Sequence, residues 1–152
     1  MFQSIFNFAS DDSYKMTDFI VSSYNKTAYS YIEQFPAWQS HNLLIYGAKA
    51  SGKTYLTKIW QSKSNAIIIN KDLLQSSNLN QYCSEHAAFI CEDIEIYLDG
   101  KQTSLEVAVF ILLNICRTQQ KHIFFTSDKS LHQLNINSAD LHSRLNSITN
   151  FN

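Results

Sequence analysis

The sequence predicts an α/β fold of three layers, in which a parallel sheet is covered by helices on both faces. Three observations carry that expectation. Short, continuously apolar runs of the kind that form buried parallel strands alternate with helical patterns. A glycine-bounded loop joins the first of those runs to a helix. Polar and acidic residues gather where the runs end, at the edge where open parallel sheets collect their ligands. At 152 residues the chain has the length of one domain with a single core.

Taken in order, Asp18-Phe19-Ile20-Val21-Ser22-Ser23 is an extended apolar segment ended by a serine able to cap a helix that begins near Tyr24. Along that helix Ala28, Tyr31 and Ile32 fall at i, i+3, i+4 and mark a buried face, and Pro36 ends it. Leu43 to Tyr46 is the first strand, and the helix after the glycine loop continues to about Gln61. Ala66 to Ile69 reads as a second short buried strand. Asp72-Leu73-Leu74 then opens a short helical or irregular stretch through Gln75 to Asn80. Ala87 to Cys91 is the third strand, and Asp99-Gly100 a turn. From Ser104 to Gln119, Val107, Phe110, Ile111, Asn114 and Ile115 keep helical spacing on a strongly buried helix. His122 to Thr126 is the fourth strand, closed by Ser127-Asp128, and Ser138 caps a last helix reaching Leu145.

The loop carries the clearest chemistry. Gly47 and Gly52 are two of the chain's three glycines, and with Lys53 and Thr54 they complete G-x-x-x-x-G-K-[ST] between a strand and a helix. Backbone N–H groups can wrap a phosphate chain only if the loop turns tightly, which glycine at each end permits. Lys53 offers a compact positive charge to the outer phosphates and Thr54 a hydroxyl to Mg²⁺. The positive end of the following helix faces the anion. After the third strand come Glu92 and Asp93. In a phosphate-loop protein one such acid holds Mg²⁺ and the next polarises the attacking water. The first acid is usually Asp; Glu92 is one methylene longer, and Mg²⁺ demands near-ideal octahedral geometry, so nucleotide binding is better supported than hydrolysis. Arg144, in Asp140-Leu141-His142-Ser143-Arg144-Leu145, is either a surface arginine at a helix end or a group presented to a neighbouring subunit's phosphates.

Composition excludes several classes. A net charge of −1 and a pI near 6.5 provide no overall field for nucleic acid or an acidic membrane. Cys83, Cys91 and Cys116 have no C-x-x-C spacing and lie in or near apolar segments, which reads as reduced, structural thiols of a cytoplasmic protein. No basic-then-apolar leader opens the sequence, and no apolar run approaches the roughly 20 residues that cross a bilayer. The first eight residues, MFQSIFNF, are either an edge strand or flap packed on the domain or an extended peptide for a partner's groove.

Together these segments resemble the AAA+ nucleotide-binding core of the DnaA/Hda family of bacterial replication proteins, and within it the smaller inactivator branch found in alphaproteobacteria. The residues that carry the resemblance are the Asp18–Asn25 segment, Trp38, GAKASGKT followed by Tyr55-Leu56, Ile59-Trp60, FICEDIE, LLNICR, FFTSD and DLHSRL, in the family's order and spacing. Asp140 stands where the initiator has an additional arginine, as the inactivator branch tends to have it. The resemblance implies a parallel sheet of five strands, the fifth in the N-terminal half or near Ile148. It places Ile20 and Val21 beside the adenine, and Gly47, Ser51, Gly52, Lys53, Thr54 and Tyr55 around ADP or ATP. It puts Thr54 and Glu92 at Mg²⁺, gives Asp93 a catalytic role, makes Asp128 the reader of nucleotide state, and sends Arg144 in trans to a partner's nucleotide. Gln3, Ile5, Phe6 and Phe8 are similar to the family's sliding-clamp peptide, so residues 1–10 are expected to dock on the clamp and 11–152 to form the AAA+ core, with the helical lid absent. The function so implied is regulatory: clamp-assisted promotion of ATP hydrolysis by DnaA, with homo-oligomers possible and no reading of specific DNA. A self-contained small P-loop ATPase and an adaptor without turnover are the alternatives.

Overall fold

The computed structural model describes residues 26–38, 40–48 and 52–151. The expectations placed on Gln3, Ile5, Phe6, Phe8, Ile20, Val21 and Ser51, and on the serine cap before Tyr24, lie outside the described residues.

The apolar runs become strands that pair in parallel. These are β1 (Asn42–Tyr46), β2 (Ile67–Ile68), β3 (Ala88–Cys91), β4 (His122–Ser127) and β5 (Thr149–Phe151), in the order β2-β3-β4-β1-β5. Side chains on a strand alternate between faces, and here both faces are buried. Leu43, Ile45, Ala88, Ile90 and Phe124 enter one layer, and Leu44, Phe89, Cys91, Ile123 and Phe125 the other. The first layer is closed by α1 (Lys26–Glu33) and α2 (Lys53–Ser64), the second by α3 (Lys71–Leu74), α4 (Leu79–Ser84), α5 (Thr103–Thr118) and α6 (Ala139–Asn146). That is the three-layer α/β architecture with the five-stranded parallel sheet. The fifth strand is the one beyond Ile148, paired with β1 through Leu43↔Thr149 to Ile45↔Phe151.

Aromatic rings seal α1 to α2. Trp38 stacks on Trp60 at 5.3 Å and on Tyr31 at 4.9 Å between ring centroids. Its indole N–H donates to the Tyr31 carbonyl at 2.7 Å. Phe35 meets the edge of both tryptophans. Cys83, Cys91 and Cys116 are free and buried, as expected. Burial pushes the Cys83 thiol up to about 11 and Cys91 to about 12, and Cys116 is raised further by the same cause. All three thiols are therefore protonated and poor nucleophiles at neutral pH. No helix among the described residues is long and apolar enough to cross a membrane.

Two elements differ from expectation. The second strand, read as buried, is an edge of only two residues, with Ile68 39% exposed, because it has a neighbour on one side alone. On α5 the buried face is Leu105, Ala108, Val109, Leu112, Leu113 and Cys116, whereas Val107 is 52% and Ile111 46% exposed. Phe110 and Asn114 are half-buried, and of the five positions expected on a buried helix Ile115 alone is buried. The helix is apolar almost all round, so periodicity selects no side; packing against α3, α4 and α6 and into the shared core does. Glu106, next to Leu105, is 2% exposed. Its carboxylate accepts the N–H groups of Asn137 at 3.1 Å and Ser138 at 2.9 Å. The Ser138 hydroxyl in turn accepts the Leu141 N–H at 3.1 Å, the expected cap of α6. Leu141 and Leu145, both fully buried, then fix the roll of that helix.

Candidate functional site: the phosphate loop and its acids

β1 and β4 lie side by side, but the chain leaves them in opposite directions. From β1 it crosses through α2, on one face, to β2 at the far edge; from β4 it crosses through α6, on the other face, to β5 at the opposite edge. Connections that diverge from adjacent parallel strands open a crevice at their carboxyl ends, and that is where such sheets bind ligands. Gly47 follows β1 at this end of the sheet and Asp128 follows β4.

Backbone bonding sets the two ends of the loop. The Gly47 N–H donates to the Ser127 carbonyl at 3.1 Å, carrying the β1–β4 ladder one step past the strand. Gly52 is buried, with φ 98°, a left-handed conformation that a Cβ disfavours, and its carbonyl accepts the Leu56 N–H to begin α2. The first turn of this twelve-residue helix has no acidic side chain, so its positive end is not neutralised from within.

Lys53 is only 8% exposed. Its ammonium donates to the Gly47 and Ala48 carbonyls at 2.6 and 2.8 Å and pairs with Asp128 Oδ1 at 3.1 Å. Lys53 and Asp128, named from sequence 75 positions apart, are thus brought together across the crevice. Thr54 is exposed in the first turn of α2. Tyr55, expected near the nucleotide, is 4% exposed and sits in the apolar cluster with Leu56 and Ile59.

The acids are arranged differently from the expected pair. Glu92 is half-buried and its Oε1 lies 3.2 Å from the Thr57 hydroxyl, whose one proton is shared with the Thr54 carbonyl at 2.7 Å. Glu92 is therefore tied to α2 one turn beyond Thr54. Asp93 is exposed, in a left-handed conformation with φ 57°, and its N–H donates to Thr126 Oγ1 at 2.9 Å. The carboxylates of Asp93, Glu95 and Asp128 converge, with one oxygen from each within 4.8 Å of the others. Glu95 is the functional candidate that the sequence reading missed. Its signal was a third acid in Glu92-Asp93-Ile94-Glu95, which the 3-10 turn Ile94–Ile96 swings back toward the end of β4. There its Oε1 accepts the Asp128 N–H at 3.0 Å.

Arg144 belongs to a separate cluster. It is half-buried on α6, donates to Asn114 Oδ1 at 2.6 Å and lies 5.2 Å from the centre of the Phe110 ring. α5 and α6 therefore hold this guanidinium jointly.

Chemically, an ammonium in a ring of oxygens, a left-handed glycine and an uncompensated helix N-terminus form a cradle suited to phosphate. The oxygens of Thr54 and Glu92 are the hard ligands that Mg²⁺ prefers.

No family model and no curated protein matches the chain. Solved structures do. AMPPCP-bound DnaA from Aquifex aeolicus superposes with a TM-score of 0.77 at 20% identity, covering 92% of this chain and 50% of that one. DnaI gives a TM-score of 0.71 at 16% identity, covering 90% and 89% of the two chains, and the DnaC helicase loader 0.63 at 14%, covering 93% and 98%. The chain spans about half the length of the DnaA chain. Likeness at this identity establishes the fold alone: a three-layer α/β domain around a five-stranded parallel sheet, shared with these structures.

Proposed function

We propose that the chain is a cytoplasmic, nucleotide-binding regulator of chromosomal replication initiation, which acts with the sliding clamp to promote ATP hydrolysis by DnaA. One observation carries the nucleotide half of the reading: Lys53, almost fully buried, is held at the mouth of the loop by two carbonyls and Asp128, at the divergence of β1 and β4. An outer phosphate of ADP or ATP would engage Lys53 and the N-terminus of α2, and Mg²⁺ would supply charge neutralisation between that phosphate and the oxygens of Thr54 and Glu92. Asp128, bonded to Lys53, would then read whether the lysine is occupied by phosphate. The replication half draws support from the kinds of protein that share the fold and from the DLHSRL segment, whose arginine α5 and α6 hold jointly.

Turnover by this chain itself is the less supported activity. Glu92 stands where an aspartate is usual and is already engaged by Thr57, which favours binding, or an adaptor role, over rapid hydrolysis.

The test has two arms. Calorimetric titration with ADP should give binding in the parent and a loss in Lys53→Ala. ATP turnover by purified DnaA, with clamp loaded on DNA, should then rise on addition of the parent protein. No stimulation, with ADP binding intact, would leave a nucleotide-binding AAA+ protein of another role. Phosphate release by the chain alone at a rate matching the stimulated reaction would favour the self-contained ATPase.

A further inference from the structure

We propose that Glu95 is a positioning residue of the phosphate site, holding the Asp128 carboxylate against Lys53 by accepting the Asp128 N–H; the inference rests on the nucleotide reading above. The ladder between β3 and β4 ends at Cys91↔Phe125. Beyond it the two chain ends are held by side chains instead. Two reciprocal bonds cross the gap: the Asp93 N–H donates to Thr126 Oγ1 at 2.9 Å, and the Asp128 N–H to Glu95 Oε1 at 3.0 Å. Thr126 is 1% exposed, so the first bond is anchored in the core. The second fixes the backbone of the residue whose carboxylate lies 3.1 Å from the Lys53 ammonium. Ile94, fully buried beside Glu95, holds the 3-10 turn in place.

What the geometry requires at position 95 is an acceptor, not a charge. A third carboxylate within 4.8 Å of Asp93 and Asp128 adds like-charge repulsion. Glutamine keeps an acceptor oxygen of the same reach and removes the charge, whereas alanine removes both. Positioning through the bond therefore predicts that Glu95→Gln behaves as the parent and Glu95→Ala does not. A role as a third negative charge for a cation predicts that the two variants fall together.

The experiment uses the full chain, ¹⁵N-labelled, in parent, Glu95→Ala and Glu95→Gln forms. Amide exchange at Asp128 and ADP titration without and with Mg²⁺ are the readouts. In Glu95→Ala the Asp128 amide should exchange at least about tenfold faster and ADP affinity should fall about three- to tenfold even without Mg²⁺, in line with one lost hydrogen bond. Glu95→Gln should stay within about twofold of the parent in both. An Asp128 amide or an ADP affinity unchanged by Glu95→Ala overturns the proposal, as does a Glu95→Gln protein indistinguishable from Glu95→Ala. A parent that binds no ADP overturns the nucleotide reading, and with it a role for Glu95 at a phosphate site. Parent-like affinity in Glu95→Ala overturns the positioning role alone.

Discussion

Replacing Lys53 by alanine separates two accounts of the loop, because its ammonium faces at least three oxygens at once. In the free protein those include the Gly47 and Ala48 carbonyls and Asp128 Oδ1, at 2.6, 2.8 and 3.1 Å. On the proposed reading, an outer phosphate of a bound nucleotide would compete for the same donors. The binding loss in Lys53→Ala is thus a difference between two sets of charge-assisted bonds. A lost contact of this type costs about 1.5–3 kcal/mol, or roughly ten- to a hundredfold in ADP affinity. Stability should move less. Asp128 is partly open to solvent, and the two carbonyls lie on a loop that water can reach in the absence of the lysine, so about 1–2 kcal/mol is expected. For a chain of this length that lowers Tm by about 2–8 °C. Calorimetric titration with ADP at 25 °C, paired with a thermal melt of the same preparations, measures both. Equal ADP affinity in mutant and parent, with both folded, would refute the assignment of Lys53 to phosphate and leave it a structural ion pair.

Arg144→Ala removes the bond to Asn114 and the contact with Phe110, both at half-exposed positions, so about 1 kcal/mol or less of stability should go. ADP affinity should be unchanged while stimulation of DnaA turnover disappears, and undiminished stimulation would return Arg144 to an ordinary surface role. In the N-terminal peptide, Phe6→Ala with Phe8→Ala should weaken binding to immobilised clamp at least about a hundredfold, since each buried phenylalanine contributes about 1.5–3 kcal/mol. A large loss of Tm with unaltered clamp binding would mean that the segment packs on its own domain. His122, at the start of β4 between Phe35, Trp38 and His41, has its pKa lowered by burial and then by the neighbouring His41. The unfolded chain therefore binds the proton more readily than the folded one, so the stability present above pH of about 6.5 is lost as pH falls through the lowered folded value. Tm should be lower at pH 5 than at pH 7, with a smaller difference in His122→Phe; an identical pH dependence in that variant would remove the histidine from the account.

The sheet and the loop were legible because their signals are local. A run such as Leu43 to Tyr46, stopped by glycine and followed by Gly52-Lys53-Thr54, constrains backbone and chemistry within a dozen residues. What escaped reading depended on contacts far along the chain. Glu106 has the composition of a surface position and is buried because Asn137 and Ser138 bring it two N–H groups from about thirty residues away. Val107 and Ile111 seemed core and are exposed, since an all-round apolar helix carries no mark of which side its neighbours will cover. Glu95 was passed over for the same reason. Its importance lies in Asp128, 33 positions later, and only the parallel register of β3 and β4 puts the two together.

The unequal lengths of the ladders imply an order of opening. β1 and β4 share five registered pairs at the centre of the sheet, while β5 joins β1 through three and β2 joins β3 through two. Local unfolding starts where few backbone bonds and few buried contacts must be surrendered, so the edges should exchange their amides first and the β1–β4 seam last. The phosphate loop and Asp128 spring from that slow seam. Arg144 stands on α6, whose C-terminal exit leads directly into the short β5 ladder. Opening of β5 would therefore leave Lys53 and Asp128 on the slow seam, so the proposed phosphate site belongs to the part of the sheet that opens last.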